Sequence, residues 1–264
     1  VYGITNIIPP MNIQGAAYAS VVAQVSMALI SGVLLLKKTD IPLVFKLPLH
    51  TEIPKFVVMV LNLFVRTLAL NTALYFGTSY ATNYGDAYIA AYTIGFNLWL
   101  MCAFMIDGYS SAGNILSGKL LGAKSYKTLL VLGNRLIQYG FVFGVFLAII
   151  GAIFYQSIGR IFTQEPEVLA HFYNTFWIVL LMQPVCAIAF IYDGMFKGMG
   201  EMKFLRNVLL LATGFVFIPT LLVFDNMNYQ LYAIWIAFFL WMFARAIPLI
   251  IKFRRKFLPL AQKT

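Results

Sequence analysis

Charged residues are scarce in this sequence of 264 residues: they make up 11% of it, whereas hydrophobic residues make up 61%. Water-soluble domains carry about a quarter charged residues. So few polar groups cannot cover a surface exposed to water, which excludes a soluble globular protein and makes lipid part of the solvent. The net charge of +10 comes from basic residues at the ends of apolar runs, not from one patch, which argues against nucleic-acid binding.

Cysteine is also rare, with only Cys102 and Cys186, both inside apolar runs. This excludes a disulfide framework, and we interpret both cysteines as small apolar packing residues. We predict no metal site and no cofactor. The sequence begins without Met and without a basic region ahead of its first hydrophobic stretch, so no signal peptide is visible. We therefore expect the chain to be internal to a longer protein.

Long apolar runs are what the sequence has in abundance. A membrane-spanning helix needs roughly 20 largely apolar residues. Seven segments meet this requirement, and together they predict an all-α, polytopic membrane protein that forms one bundle without a soluble domain. The predicted spans are residues 15–36, 56–80, 87–116, 129–155, 169–192, 205–224 and 231–251.

The distribution of lysine and arginine predicts the orientation of these spans. Cytoplasmic loops of membrane proteins are enriched in both residues. The first, third and fifth loops and the C-terminal tail are basic, the second and sixth loops contain neither residue, and the fourth has only Arg160. We therefore predict that the N-terminal end lies outside and the tail inside. The basic residues are Lys37, Lys38, Lys46 and Lys55; Lys119, Lys124 and Lys127; Lys197, Lys203 and Arg206; and Lys252, Arg254, Arg255, Lys256 and Lys263.

Four ionisable residues lie within the apolar runs: Arg66, Asp107, Asp193 and Arg245. Charge at bilayer depth costs several kcal/mol unless it is paired or hydrated, so each is a candidate for function. Counted from the nearest basic loop residue, Arg66 and Asp107 lie about 16 and 18 Å deep, and Asp193 and Arg245 roughly 6 and 10 Å deep. We expect Arg66 to pair with Asp107 near the midplane, and Arg245 with Asp193 nearer the cytoplasm.

Two interpretations of these charges stay open. They form either structural salt bridges or a coupling site in which a carboxylate takes up a proton after losing its cationic partner. Three amides within the spans, Asn71, Asn97 and Gln183, are further candidates for the cavity, although such amides often only join neighbouring helices. Pro184, Pro219 and Pro248 are expected to kink their helices.

Two segments of the sequence are alike: DGYSSAGNILSGKLLGAKS from Asp107 and DGMFKGMGEMKFLRN from Asp193. Each runs along a span into a basic turn with glycines, and its small residues are expected to let helices approach closely. With GAAYASVVAQ from Gly15 and LFVRTLAL from Leu63, these segments resemble the multidrug and toxic compound extrusion (MATE) transporters, specifically their DinF-like branch. The matching stretches follow one another in that order across the chain.

The resemblance implies a transporter of twelve helices in two lobes, not an enzyme. Residues 1–40 would be the last helix of a missing N-terminal lobe, and residues 41–264 a C-terminal lobe of six helices with a basic tail. The implied function is export of organic cations or amphiphiles by alternating access, coupled to entry of protons or sodium, in a bacterial inner membrane. Some branches carry an acidic residue in the seventh helix where this chain has Arg66, which puts a sodium site in this lobe in doubt. The DinF-like branch has a proton-linked Asp in a first helix that this chain lacks.

Four other functions fit the sequence less well. A retinal protein needs a Lys in its last span, and residues 231–251 contain none; a seven-helix receptor would carry an acidic-Arg-Tyr motif after the third span, where Gly118-Lys119-Leu120 stands. An intramembrane aspartic protease would need a second Gly-x-Gly-Asp motif, but Gly200 is followed by Glu201. A lipid-linked oligosaccharide flippase of the same superfamily would need a strongly cationic cavity, whereas two Arg against two Asp favour mixed or cationic substrates.

Overall fold

The computed structural model describes residues 12–38 and 53–262. Within these ranges, seven helices are long and apolar enough to cross a membrane, so the all-α polytopic fold is confirmed. The predicted loop 39–52 and Lys263 lie outside the described residues. The helices are α1 Asn12–Lys38, α2 Ile53–Tyr84, α3 Asp86–Gly122, α4 Tyr126–Phe162, α5 Pro166–Gly198, α6 Met202–Asn226 and α7 Leu231–Gln262.

Each helix contains its predicted span and extends beyond it. Helices α2–α5 and α7 have 32 to 37 residues, against about 20 needed to cross the hydrocarbon core. The apolar window fixes only the part of a helix that lies in lipid. Polar ends add turns because backbone hydrogen bonding within the helix continues into the interface.

Helix α6 is irregular in its middle. It is α-helical over Met202–Leu211, π-helical over Ala212–Phe217 and α-helical again over Ile218–Asn226. Pro219, which was expected to kink this helix, follows the π-helical segment and has no backbone N–H to donate to the preceding turn. The Thr213 hydroxyl lies 3.5 Å from the Ala69 carbonyl oxygen and accepts a hydrogen bond of 3.1 Å from Trp241 Nε1. The π-helical segment of α6 therefore contacts α2 at Ala69 and α7 at Trp241.

The chain divides into two compact units, Val1–Ile53 and Pro54–Thr264. In the first, the described side chains of α1 are mostly exposed, and its apolar window lacks any buried residue. In the second, α3, α4, α6 and α7 pack against α5, whose apolar window is 61% buried. Helix α5 is therefore the centre of the bundle, which explains why its apolar residues are spread around the helix and are not confined to one stripe.

Two aromatic clusters fill the second unit. One contains Tyr92, Trp99, Trp235, Phe238 and Trp241 between α3 and α7. Large rings of this kind bury 150–250 Å² each and dominate core energetics. The other lies toward the C-terminal ends of α5 and α7 and includes Met195, Phe196, Phe253 and Phe257. The polar residues described next lie where the helices would otherwise form a continuous apolar core.

Helices α3 and α5 end in the same way. After α3, the N–H of Ser125 bonds to the Leu120 carbonyl and that of Lys124 to the Leu121 carbonyl, both at 3.0 Å. After α5, Glu201 and Gly200 repeat this pattern. It is the Schellman motif, whose penultimate residue takes a left-handed conformation, here Lys124 at φ 55° and Gly200 at φ 77°. The two similar sequence segments therefore end in the same type of turn, and each forms a helix before it.

Candidate functional site: a charged cavity in the helix bundle

The two similar segments pack against each other. An added Cβ on Gly194 would lie 2.3 Å from the Ser110 carbonyl oxygen, and one on Gly198 would lie 1.9 Å from that of Asn114. Both positions therefore require glycine. The contacts advance by four residues on each helix, so α3 and α5 run in the same direction. The hydroxyl of Ser117 adds a hydrogen bond of 2.9 Å to the Met195 carbonyl oxygen. The prediction that small residues here permit close helix packing is confirmed.

This parallel register corrects the predicted depths. Gly194 contacts Ser110 and Gly118 contacts Gly198, and together these contacts place Asp107 and Asp193 about four residues apart in depth, or roughly 6 Å. The estimate from the sequence had separated them by about 12 Å because it placed Lys197 at the membrane boundary. That assumption was wrong: Lys197 belongs to the charge network inside the bundle.

Asp193 is the centre of this network. Arg66 Nη2 donates to both carboxylate oxygens, at 2.6 Å to Oδ1 and 2.7 Å to Oδ2. Lys197 Nζ, one turn along α5, lies 2.8 Å from Oδ2. The side chains of Arg66 and Asp193 are each 9% exposed, whereas that of Lys197 is 32% exposed. The carboxylate is therefore neutralised by one buried and one partly exposed cation. The expected pair of Arg66 with Asp107 is wrong, since Arg66 reaches α5 instead of α3.

Arg245 also differs from its prediction. Among the described residues it makes no ion pair, although it is buried. Its guanidinium carbon lies 4.7 Å from the ring centroid of Trp241 and 5.6 Å from that of Phe190, and Nη1 lies 3.5 Å from the Met242 sulfur. The expected pair with Asp193 is wrong, because Arg66 and Lys197 already occupy that carboxylate. In place of an acidic partner, the ring faces of Trp241 and Phe190 stabilise the Arg245 guanidinium through cation–π contacts.

All four predicted membrane charges line one cavity of about 230 Å³. Asp107 is exposed at its wall and, within residues 12–38 and 53–262, makes no ion pair. With Lys197, three cations face two carboxylates, a net charge of +1. The sequence count of two Arg against two Asp had omitted Lys197. The remaining wall residues are Leu70, Ala103, Phe104, Ser110 and Phe190.

The three predicted amides lie elsewhere. Asn71 and Asn97 are exposed, and Asn97 Nδ2 donates to the Thr93 carbonyl of its own helix. Gln183 is buried, donates to the Val179 carbonyl at 2.9 Å, and has no partner for Oε1 among the described residues. None of the three lines the charged cavity. Their roles stay predictions without support from this geometry.

Two features of the site were missed from the sequence. Lys197 was assigned to a loop, although its spacing of four residues from Asp193 is the one that joins side chains on a helix. Arg206, also assigned to a loop, donates to Asn62 Oδ1 at 2.6 Å and ties α6 to α2 beside the cavity helices. No local signal in the sequence identifies that second contact. In the part of the chain that the structure describes, no cluster of His, Cys, Asp or Glu side chains is suited to hold a metal ion.

The sequence profile of the MatE family matches residues 63–222, more than half of the chain and the part that carries nine of the ten residues lining the cavity. The chain belongs to the MatE family. The resemblance to MATE transporters is therefore confirmed, and with it a multi-pass membrane protein. The matched residues include Arg66, Asp107 and Asp193, whereas Arg245 lies beyond them.

Several relatives of this MatE protein come from plants and bacteria. Protein DETOXIFICATION 45, chloroplastic, of Arabidopsis thaliana is 28% identical over 207 residues, covering 77% of this chain and 36% of that protein. Protein DETOXIFICATION 43 of the same plant is 28% identical over 238 residues, with 90% and 44% covered. Probable multidrug resistance protein YoeA of Bacillus subtilis (strain 168) is 28% identical over 125 residues, with 47% and 27% covered. The chain spans less than half the length of these relatives.

Solved structures agree on the fold. A multidrug resistance MATE family transporter in an outward-facing conformation aligns with a TM-score of 0.81 at 20% identity, covering 95% of this chain and 57% of that one. A MOP superfamily transporter from Pyrococcus furiosus, described as having a binding pocket of reverse polarity, aligns with a TM-score of 0.80 at 18% identity, covering 95% and 57%. At these identities the match establishes the MATE-type fold and nothing more.

Proposed function

We propose that this MatE protein is a secondary active efflux transporter that exports organic cations or other amphiphiles by alternating access, driven by proton entry. The observation that carries the proposal is the buried carboxylate of Asp193, which binds two cations in the same cavity that exposes the unpaired Asp107. One carboxylate is thus available to a substrate, and the other is available to the coupling ion only after its partners move away.

The coupling step follows from the helices that the ion pair joins. Arg66 lies in α2 and Asp193 in α5, so a relative movement of these helices that exceeds the reach of the Arg66 side chain breaks the contact of Nη2 with the carboxylate. A buried carboxylate that loses its cationic partner gains proton affinity. A conformation in which α2 is displaced and the partly exposed Lys197 turns toward water would take up a proton at Asp193, and restoring both contacts would release it. If one conformation opens to the outside and the other to the cytoplasm, each cycle carries a proton across the membrane.

Substrate binding is assigned to the wall around Asp107. Phe104 lies one turn before it on α3, and Phe190 and Leu70 add apolar surface across the cavity. A carboxylate beside aromatic and aliphatic surface suits a molecule with one cationic and one apolar part. The volume of about 230 Å³ accommodates a part of such a molecule, and the second lobe would supply the remaining wall.

The chain is proposed to form the C-terminal lobe of a transporter with twelve helices. Residues 41–264 would be that lobe, and residues 1–40 the last helix of the N-terminal lobe. In support, Pro54–Thr264 is one compact unit, and the chain covers 57% of a solved MATE structure. The alternation of basic loops supports a cytoplasmic tail. A bacterial inner membrane remains the proposed location, with membership of the DinF-like branch.

A second candidate function is supported by the surplus positive charge. Arg245 has no acidic partner among the described residues, and the cavity sums to +1, so an anionic substrate would find a buried cation there. The net charge of +1 supports the lipid-linked oligosaccharide flippase more than the balanced count of two Arg and two Asp in the sequence did. One added charge still falls short of a strongly cationic cavity, so cation and amphiphile export is preferred.

The test is drug-stimulated proton movement by the full-length protein in proteoliposomes. Asp193→Asn is expected to abolish proton movement. Asp107→Asn should lower cation transport by up to about fivefold, since a charge pair at an exposed carboxylate is worth up to about 1 kcal/mol. Asp86→Asn is the matched control, because Asp86 is an exposed aspartate at the other end of α3.

The outcomes separate the candidate functions. Wild-type proton movement in both Asp193→Asn and Asp107→Asn would reduce the two residues to structural roles. Transport that survives Asp107→Asn but is lost in Arg245→Gln would support an anionic substrate. Loss of transport in Asp86→Asn as well would indicate a general folding defect and remove the support for a specific site.

A further inference from the structure

A second, larger cavity lies at the surface where α7 approaches the start of α6. Its volume is about 610 Å³, and it is lined by Phe204 of α6 and by Pro248, Ile251, Lys252, Arg255 and Lys256 of α7. Half of these residues are cationic and half are apolar. None of them belongs to the charged cavity between α2, α3, α5 and α7, so the efflux function does not account for this groove.

The lining residues of α7 lie on one face of the helix, because their spacing repeats every three or four residues. Along that face the apolar Pro248 and Ile251 come first, followed by Arg255 and Lys256. At 1.5 Å per residue the change from apolar to basic takes place within about 10 Å. This matches the border between the acyl and headgroup layers of a bilayer, where a basic tail faces the cytoplasmic leaflet.

The cations of the groove are held in place by neighbouring side chains. Glu201 accepts hydrogen bonds from Lys252 Nζ at 2.8 Å and from Lys256 Nζ at 2.5 Å. Lys252 Nζ also lies 3.9 Å from the ring centroid of Phe204. Glu201 reaches α7 because Gly200, at φ 77°, turns the chain sharply after α5. The arrangement keeps two lysines ordered at the mouth of the groove.

Positive charge remains in excess after this pairing. One Glu faces two Lys, and Arg255 is exposed and makes no ion pair with any residue that the structure describes. The opposite face of α7 is fixed by the buried Leu249, Phe253 and Phe257, so the groove is part of the packed bundle and not of a loose tail. A preformed pocket with a net charge of +2 and an apolar continuation has the properties of a ligand site.

We propose that this groove binds the headgroup of an anionic phospholipid of the tail-side leaflet. The phosphodiester would accept hydrogen bonds from Arg255 and from the lysines that Glu201 orders, while an acyl chain would lie along Ile251, Pro248 and Phe204. Guanidinium and phosphate match in geometry as well as in charge. A free phosphate ion shares the headgroup chemistry, but it would leave the apolar half of the groove unused.

The experiment is a lipid titration of the full-length protein in detergent, with bound lipid counted by native mass spectrometry. The probes are phosphatidylglycerol, phosphatidylcholine and inorganic phosphate. Wild-type protein is expected to prefer phosphatidylglycerol, and Arg255→Gln should weaken that binding about fivefold, the factor expected for one basic residue near a lipid surface. Arg254→Gln is the matched control, since Arg254 is also exposed on α7 but does not line the groove.

Several results would overturn the proposal. Equal weakening by Arg254→Gln and Arg255→Gln would show diffuse attraction to the tail, and no weakening by Arg255→Gln would exclude the site. Equal binding of phosphatidylcholine would identify an ordinary lipid contact. Displacement of the lipid by millimolar inorganic phosphate would identify a soluble anion as the ligand. Arg255→Gln should unfold at the wild-type temperature, because its side chain is exposed.

Discussion

The ion pair of Arg66 with Asp193 offers a quantitative test by a double-mutant cycle. The single variants are Arg66→Gln and Asp193→Asn, and the third is their combination. Removing one partner of a buried pair costs about 3–5 kcal/mol, because the other charge is left without compensation. Both side chains are 9% exposed, so this range applies, but Lys197 remains as a second partner of Asp193. We therefore expect Arg66→Gln to cost about 2–3 kcal/mol, below that range.

Asp193→Asn leaves two cations without a partner, so about 3–5 kcal/mol is expected. The double variant leaves only Lys197, which is partly exposed and can turn toward water. We expect it to be less destabilised than the sum of the single variants, with a coupling of about 2 kcal/mol between the two sites.

The assay is reversible unfolding of the purified full-length protein in mixed detergent micelles, followed by circular dichroism. The free energy of unfolding is measured for wild type, the two single variants and the double variant. A coupling below about 0.5 kcal/mol would refute the reasoning, because residues that do not interact are additive within that limit. Arg206→Gln with Asp193→Asn is a suitable control pair, since Arg206 bonds to Asn62 and not to the carboxylate.

Three further predictions concern the ends of α3 and α5. Gly198→Val should prevent native packing, since its Cβ would overlap the Asn114 carbonyl; loss of the folded peak in size-exclusion chromatography tests this, and a normal peak would contradict it. Lys124→Gly should raise the free energy of unfolding by about 1 kcal/mol, because a left-handed residue with a side chain is strained, and Gly200→Lys should lower it similarly. Burial alone would raise the pKa of Glu201, but hydrogen bonds from Lys252 and Lys256 lower it below its ordinary value. Its contribution is therefore present above about pH 4.3 and is lost as pH falls through the lowered pKa, so the difference in melting temperature between wild type and Glu201→Gln should vanish only below about pH 4.3. A difference that disappears above pH 5 would contradict this.

The helices were predictable because hydropathy is a local property of the sequence. Each of the seven predicted spans lies inside an observed helix, and the similarity of the Asp107 and Asp193 segments correctly indicated that both helices carry small packing residues and similar turns. The family was predictable for a related reason, because its motifs are short and contiguous. The π-helical segment Ala212–Phe217 was not predicted; Pro219 indicated only a kink.

The ion pairs were not predictable, because they depend on helix register and not on depth along a single helix. Counting residues from the nearest lysine assumes that each lysine marks the membrane boundary. Lys197 turns toward Asp193 and therefore does not mark that boundary, so the depth estimated for Asp193 was wrong. The relative height of the two helices follows instead from contacts between them, such as those of Gly194 with Ser110 and of Gly118 with Gly198.

The central proposal is that Asp193 takes up a proton when Arg66 and Lys197 move away from it. Difference infrared spectroscopy of the reconstituted full-length protein, recorded on substrate addition, tests this directly because a protonated carboxyl has a C=O band of its own. The account predicts a carboxyl band in wild type and in Glu201→Gln, and no such band in Asp193→Asn. A band of equal intensity in Asp193→Asn, or none in wild type during proton-coupled transport, would contradict it.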